Sequence, residues 1–468
     1  MRTTLPSAFP PALALAVACG LIAPATCAQA QDSGANPFGG APSATLPYDK
    51  EYPTIHYEQT PTHNAIYRLQ QRLDRGQAKL LYRAPRGYLD SVLQALAIDR
   101  SSQTLVYSRT SLQVGSISAA TPRALYFNDE TYVGWVQGEG FLELATMDSA
   151  LGQVFYTLPN VPGAQAKLER RTFDCLACHD TYELAGGGVP RFLLLSTYTD
   201  IHGDQMSHEG QILTYDDTPL RDRWGGWYVT GFSGGQVHLG NILITSVSQL
   251  EKLDSYRHGN LATLDGLFDT HPYLTDKSDI VALLVLQHQV DVENLLTRVA
   301  YEVRTALASA GATHGRRSAE LPAKTRAALA QYLDSLVDTM LFVDATTFTS
   351  PIRGTSGFDT WFEAQGPRDR LGRSLRELDL KTRLFRYPLS YLVYSAAFDG
   401  LPPYARDYVY GRFAQVLTGR DDSDKYAALS AEDRKAILEI LTQTKPDFAR
   451  YIESHGGTAR TASLGGRG

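Results

Sequence analysis

The sequence predicts an α+β protein, a β-rich central region followed by a mainly helical C-terminal half. Between Gln103 and Val247, short runs of β-branched and aromatic residues alternate with turn residues. After Asp269, apolar residues recur at steps of three and four instead. A third observation, the run CLACHD from Cys175 to Asp180, lies inside the β-rich part.

From the start, residues 1–30 read as a secretory signal: Arg2, an apolar stretch from Ala12 to Ala23, and the small-residue pattern Ala28-Gln29-Ala30 before a polar run. The stretch falls short of the roughly 20 residues that span a bilayer. Residues 31–62, rich in Pro, Ser, Gly and Thr, read as a flexible leader.

An α+β region is expected over 63–270. It opens with NAIYRLQQRLDRG, which sets Ile66, Leu69 and Leu73 on one helical face and stops at Gly76; a second short helix follows across YLDSVLQALAI. The strand candidates are TLVYSRTSL, RALYFND, YVGWVQG, FLELATM, QVFYTL, RFLLLSTYTD, QILTYDD, GWYVTG and NILITSV, a mostly antiparallel set. A helical region over 271–455 is expected to pack on it. There Val281, Leu284, Val285, His288, Val292, Leu295, Val299 and Val303 form an apolar stripe, and TRAALAQYLDSLVDTMLF repeats the pattern. TSPIRGTSGFDTW reads as a flexible connection. Ser430 and Asp433 cap the helix RKAILEILTQTK, which Pro446 ends. Residues 456–468 read as a disordered tail.

The net charge of −6 carries no basic footprint for nucleic acid and no polybasic patch for a membrane. No apolar run after residue 30 is long enough to span a bilayer. The 26 tyrosines and 43% hydrophobic content describe a packed globular chain.

Of four cysteines, Cys19 and Cys27 fall in the export segment, and neither follows a convincing lipidation pattern. Cys175 and Cys178 remain. A disulfide across two intervening residues removes little chain entropy, so stapling does not explain the pair. Structural zinc wants four ligands, commonly as two paired clusters, and there is no second Cys-x-x-Cys. A redox dithiol should open a helix, whereas the chain here breaks at Gly186 to Gly188. In Cys-x-x-Cys-His, by contrast, two thiols add to haem vinyl groups and the adjacent imidazole reaches the iron. Cys175 and Cys178 are thus the expected thioethers of one covalent haem c, and His179 the axial ligand of its iron. A haem anchor flanked by strands belongs to an α+β scaffold and not to a minimal all-helical cytochrome c.

For the sixth iron position the sequence offers His288, which interrupts the apolar stripe, and His238, set among glycines in GFSGGQVHLGN. Each has a plain alternative, a core or turn histidine satisfied by protein partners. Met206 is the next candidate. Trp224, Trp227 and Tyr228 read as a macrocycle wall or as ordinary core, and Arg221 and Arg223 as propionate partners or solvated side chains.

At SLQVGSISAATPRALYFNDETYVGWVQG, CLACH, RWGGWYVTG, VHLGN, SDIVALLVLQHQ and LDLKTRLFRYPLSYLVYS the sequence resembles uncharacterised exported single-haem cytochrome c-like proteins of bacteria. The resemblance runs from about Asn64 to Pro446 and implies haem and scaffold as one unit. It carries over Cys175, Cys178 and His179, and brings no activity or partner. Two functions are therefore expected in competition: a periplasmic electron-transfer protein with an unidentified redox partner, or a haem c oxidoreductase of peroxidase or oxygenase type with an open distal site.

Overall fold

The first helix, α1 (Ala65–Asp74), starts where the Asn64 side chain accepts the Tyr67 N–H at 3.0 Å. It ends before Gly76, whose φ of +67° suits a residue without Cβ. Ile66 and Leu69 are buried on the face that the sequence predicts. The helix α2 (Leu89–Ala95) follows. In this computed structural model, residues 54–180, 188–206, 210–246, 249, 259–311 and 321–456 are described. The export segment, most of the leader and all but the first residue of the tail lie outside them.

The strands are β1 (Thr104–Val106), β2 (Arg123–Phe127), β3 (Thr131–Trp135), β4 (Phe141–Asp148), β5 (Gly152–Pro159), β6 (Glu169–Arg171), β7 (Leu195–Thr197), β8 (Gln211–Leu213) and β9 (Trp227–Tyr228). Seven of them form one sheet in the order β6-β5-β4-β3-β2-β1-β9, every neighbouring pair antiparallel. β7 and β8 form a separate antiparallel pair. The longest register runs from Phe141 opposite Pro159 to Asp148 opposite Gly152. Buried and half-buried residues alternate along the first part of β4, as a sheet with one covered face requires.

The helices after the sheet are α4 (Ile280–Ser309), α5 (Ala323–Met340), α6 (Phe358–Glu363), α7 (Ala396–Asp399), α8 (Pro403–Leu417), α9 (Ala431–Thr444) and α10 (Pro446–Gly456). Asp279 caps α4, its carboxylate accepting the Val281 and Ala282 N–H groups. α4 packs across β5: the Thr297 hydroxyl donates to the Gln153 side chain at 3.0 Å, and the Tyr301 hydroxyl to the Leu151 carbonyl at 2.9 Å. The sheet and the helices share one hydrophobic core. The chain is an α+β protein and not an all-helical one.

Several local expectations change. The α4 stripe is only part of a helix buried on every side from Ile280 to Tyr301, because the sheet covers one flank and the later helices the other. The NILITSV run forms no strand over its described residues; Asn241 and Ile244 each donate one backbone bond, to Trp227 and Thr199. β6, with its sequence Glu-Arg-Arg, carries no apolar pattern and is set by pairing with β5. The leader ends earlier than 62, since Ile55 and Tyr57 are buried and the Tyr57 hydroxyl donates to the Gln153 carbonyl at 2.7 Å. The connection at 349–361 is tied down: Thr355 and Ser356 donate their N–H groups to the Asp279 carboxylate at 2.6 and 2.8 Å. Ser430 caps α9 as expected, and Pro446 both follows that helix and opens α10.

Candidate functional site

Directly after the edge strand β6 comes α3 (Phe173–His179), the helix that consists of the motif. Leu176 is buried and seats it, and the Asp180 N–H closes it on the Leu176 carbonyl at 3.0 Å. Cys175 and Cys178, three residues apart, share one helical face. Neither is in a disulfide; Cys175 is half-buried and Cys178 exposed.

Burial pushes the Cys175 thiol up to about 12, with the Glu143 carboxylate adding in the same direction. An activated dithiol requires the opposite shift. Among the described residues no group of three or more His, Cys, Asp and Glu side chains is placed to hold a metal ion. Neither the dithiol nor the zinc alternative gains support.

His179 is clamped twice to a residue twelve positions on. Its carbonyl accepts the Arg191 N–H at 2.9 Å, and its ring Nδ1–H donates to the Arg191 carbonyl at 2.6 Å. A carbonyl only accepts, so Nδ1 carries the proton, and Nε2 keeps its lone pair with no hydrogen-bond partner among the described residues. The ring packs on Phe155 with centroids 4.5 Å apart. Burial holds the imidazole below its ordinary range, partly offset by the Arg191 carbonyl. The neutral ring is the form that binds a metal.

The clamp is anchored from the central helix. Asn294 on α4 accepts the Phe192 N–H and donates to the Phe192 carbonyl, both at 2.9 Å, and so holds the segment carrying Arg191. This positioning residue is invisible to motif reading, because an asparagine inside an apolar helix signals nothing about a loop a hundred residues away.

Beside the anchor, Arg123 and Glu143 form an ion pair at 2.8 Å, and Arg171 pairs with Asp174. The Leu112 N–H donates to Glu143 at 3.1 Å. Two apolar side chains of this group are exposed, Phe173 on α3 at 81% and Leu112 beside Glu143 at 44%. Apolar surface grouped like this fits a large flat apolar group better than it fits water. The residue set also fits haem c: two thiols outside any disulfide on one helical face, and a neutral imidazole whose Nε2 has no hydrogen-bond partner among the described residues.

The other two histidines nominated for iron are placed differently. His238 is fully buried; its Nδ1 accepts the Gly240 N–H at 3.1 Å, and its Nε2–H faces the Gly259 carbonyl at 3.3 Å. Gly240 is required, since a Cβ there would lie 2.3 Å from Val229 and 2.9 Å from the ring. On α4, fully buried His288 donates from Nδ1 to Asp216 at 2.6 Å, and its Nε2 meets the Ser390 hydroxyl at 2.8 Å. With both nitrogens of each ring engaged, neither His238 nor His288 presents a lone pair to iron as placed.

Trp224, Trp227 and Tyr228 are buried core, Trp224 edge-on to His238 with centroids 5.3 Å apart. Arg221 is exposed, and Arg223 is buried on the Thr218 and Asp216 carbonyls. Met206 is half-buried in a segment joined to Arg109 through Gln205.

No protein-family model, curated protein or solved structure matches the chain. Among the described residues, no helix is long and apolar enough to cross a membrane.

Proposed function

We propose that the chain is an exported, periplasmic c-type cytochrome that carries one covalent haem and passes electrons to a redox partner. The observation that supports this reading is His179: one short helix carries two thiols outside any disulfide and an imidazole whose Nδ1 is taken by a backbone carbonyl and whose Nε2 is open. A bound haem would supply one-electron chemistry at that nitrogen. Cys175 and Cys178 would hold it, the Arg191 carbonyl would fix the His179 tautomer, and Phe173 and Leu112 would exclude water from its edge. Arg123 and Arg171, now paired with Glu143 and Asp174, would be available to its propionates.

With His238 and His288 engaged elsewhere, Met206 is the candidate sixth ligand. The same observation favours the second reading, an oxidoreductase of peroxidase or oxygenase type with an open sixth position. Two spectra decide. Protein from a Gram-negative periplasm, extracted with acid-acetone and reduced in alkaline pyridine, should keep a c-type spectrum; full loss of haem on extraction rejects the anchor. A low-spin ferric spectrum that Met206→Ala converts to high-spin supports the carrier. A resting high-spin protein that binds carbon monoxide rapidly on reduction supports the oxidoreductase.

A further inference from the structure

Away from α3, a cleft of about 620 Å³ lies among residues 341–348, 382–388 and 424–429, with Asp216, Arg223 and Leu284 also on its wall. That volume suits a small organic molecule. Half-buried Phe342 lines it, backed by the buried rings of Phe348, Phe385 and Tyr426.

The charges on the wall decide what such a molecule carries. Each cation there is already engaged. Arg223 donates to the Thr218 and Asp216 carbonyls at 2.7 and 2.9 Å, Arg383 forks onto Asp433 at 2.8 and 3.0 Å, and Lys425 meets Asp338 at 2.5 Å. The acids are not balanced in the same way. Asp344 and Asp424 have no ion-pair partner among the described residues. Asp217, which feels Asp344, is raised from its ordinary value by partial burial first, then by Asp216, with Asp344 adding. Negative potential over aromatic faces is the environment that attracts an organic cation.

Asp216 joins the cleft to the buried histidine. His288 takes Oδ2 at 2.6 Å, and behind the ring the Ser390 hydroxyl meets Nε2 at 2.8 Å. This has the connectivity of a hydrolase triad. Ser390, however, is fully buried and its oxygen already accepts the Leu392 N–H at 3.3 Å. The chain therefore orients Asp216 and does not present a nucleophile. Phe342 stacks on His288 with centroids 4.3 Å apart, so one aromatic face of the cleft and its innermost carboxylate are held by the same ring.

We propose that this cleft binds a protonated arylalkyl amine, its ring against Phe342 and Phe385 and its ammonium towards Asp216 and Asp344. The site does not depend on the haem.

Calorimetric titration of the full chain with phenethylamine, phenethyl alcohol and phenylacetate tests it, the three probes sharing a ring and differing in charge. The amine should bind at least about tenfold more tightly than the alcohol, and the carboxylate should not bind. Asp344→Asn, at the exposed rim where folding is not at stake, should weaken the amine about threefold and leave the alcohol unchanged. Phe342→Ala should weaken both. Equal affinity for amine and alcohol, preference for phenylacetate, or no amine binding at millimolar concentration overturns the proposal. So does an amine affinity indifferent to Asp344→Asn.

Discussion

His179 on α3 and His288 on α4 each donate from Nδ1 to a protein oxygen at 2.6 Å, yet the two regions put the other nitrogen to opposite use. At the edge of the sheet, the short helix ends at its histidine and leaves Nε2 open beside exposed apolar residues. In the centre, α4 is covered on all sides, and Nε2 is closed by Ser390. A buried polar atom without a partner is costly, so a central helix must satisfy both nitrogens from within the protein. A half-buried helix at an edge is under no such constraint. Availability of the second nitrogen, and not the presence of a histidine, separates a candidate ligand from a structural residue.

The largest effects should fall at the edge. Replacing Cys175 and Cys178 together with Ala should abolish covalent haem, read as the loss of the porphyrin mass from the intact protein. His179→Ala should cost only about 1 kcal/mol of stability, for one side-chain hydrogen bond, while altering the haem spectrum.

The central histidine should behave in reverse. His288→Ala strands Asp216 and Ser390, and should lower the unfolding free energy by about 4 kcal/mol, the order for two lost buried hydrogen bonds, one of them to a carboxylate. Its haem spectrum should match that of the parent. A changed spin state in His288→Ala would undo the comparison.

His238 extends it through pH. Burial lowers this ring from its ordinary 6.5 to about 4. The unfolded chain therefore takes the proton first, so the contribution of the neutral ring is complete above pH 6.5 and is lost as pH falls towards 4. Stability should drop by roughly 2 to 3 kcal/mol across that window from this group. His238→Gln, though less stable at neutral pH, should show a flatter dependence there. An unchanged slope would mean that the ring is accessible to protons in the folded state.

A smaller effect is expected at Asn294, where the two regions meet. Asn294→Ala should cost about 2 kcal/mol for three lost buried hydrogen bonds, two with Phe192 and one from Gln153. It should also shift the haem spectrum by loosening the Arg191 carbonyl from the His179 ring. Stability loss with an unperturbed spectrum would show that the clamp does not orient the ligand. Smallest of all is a difference in rate: in chain made without haem, exposed Cys178 should alkylate faster than Cys175, whose thiol is held up to about 12.

Local signals in the sequence were sufficient wherever neighbours along the chain decide the structure. Asn64 and Gly76 bound α1, Ser430 caps α9, and alternating apolar residues mark β4, because capping, positive φ and strand periodicity act within a few residues. They misled where distant parts of the chain decide. NILITSV has strand composition but no strand to pair with over its described part, while Glu169–Arg171 lacks that composition and pairs because β5 lies alongside. The regular steps of three and four along α4 described one face and said nothing of Gln287, Gln289 or Glu293, which are buried and bonded on the others.

By itself the sequence determined the α+β class, the order of strands before helices, and the one place where two thiols and an imidazole share a helical turn, since all three follow from spacing. Which imidazole keeps an open nitrogen was decided only by tertiary structure. That depends on whether a carbonyl, a carboxylate or a hydroxyl from elsewhere in the chain arrives at the ring, and such partners lie 12 residues away for His179, 21 for His238, and 72 and 102 for His288.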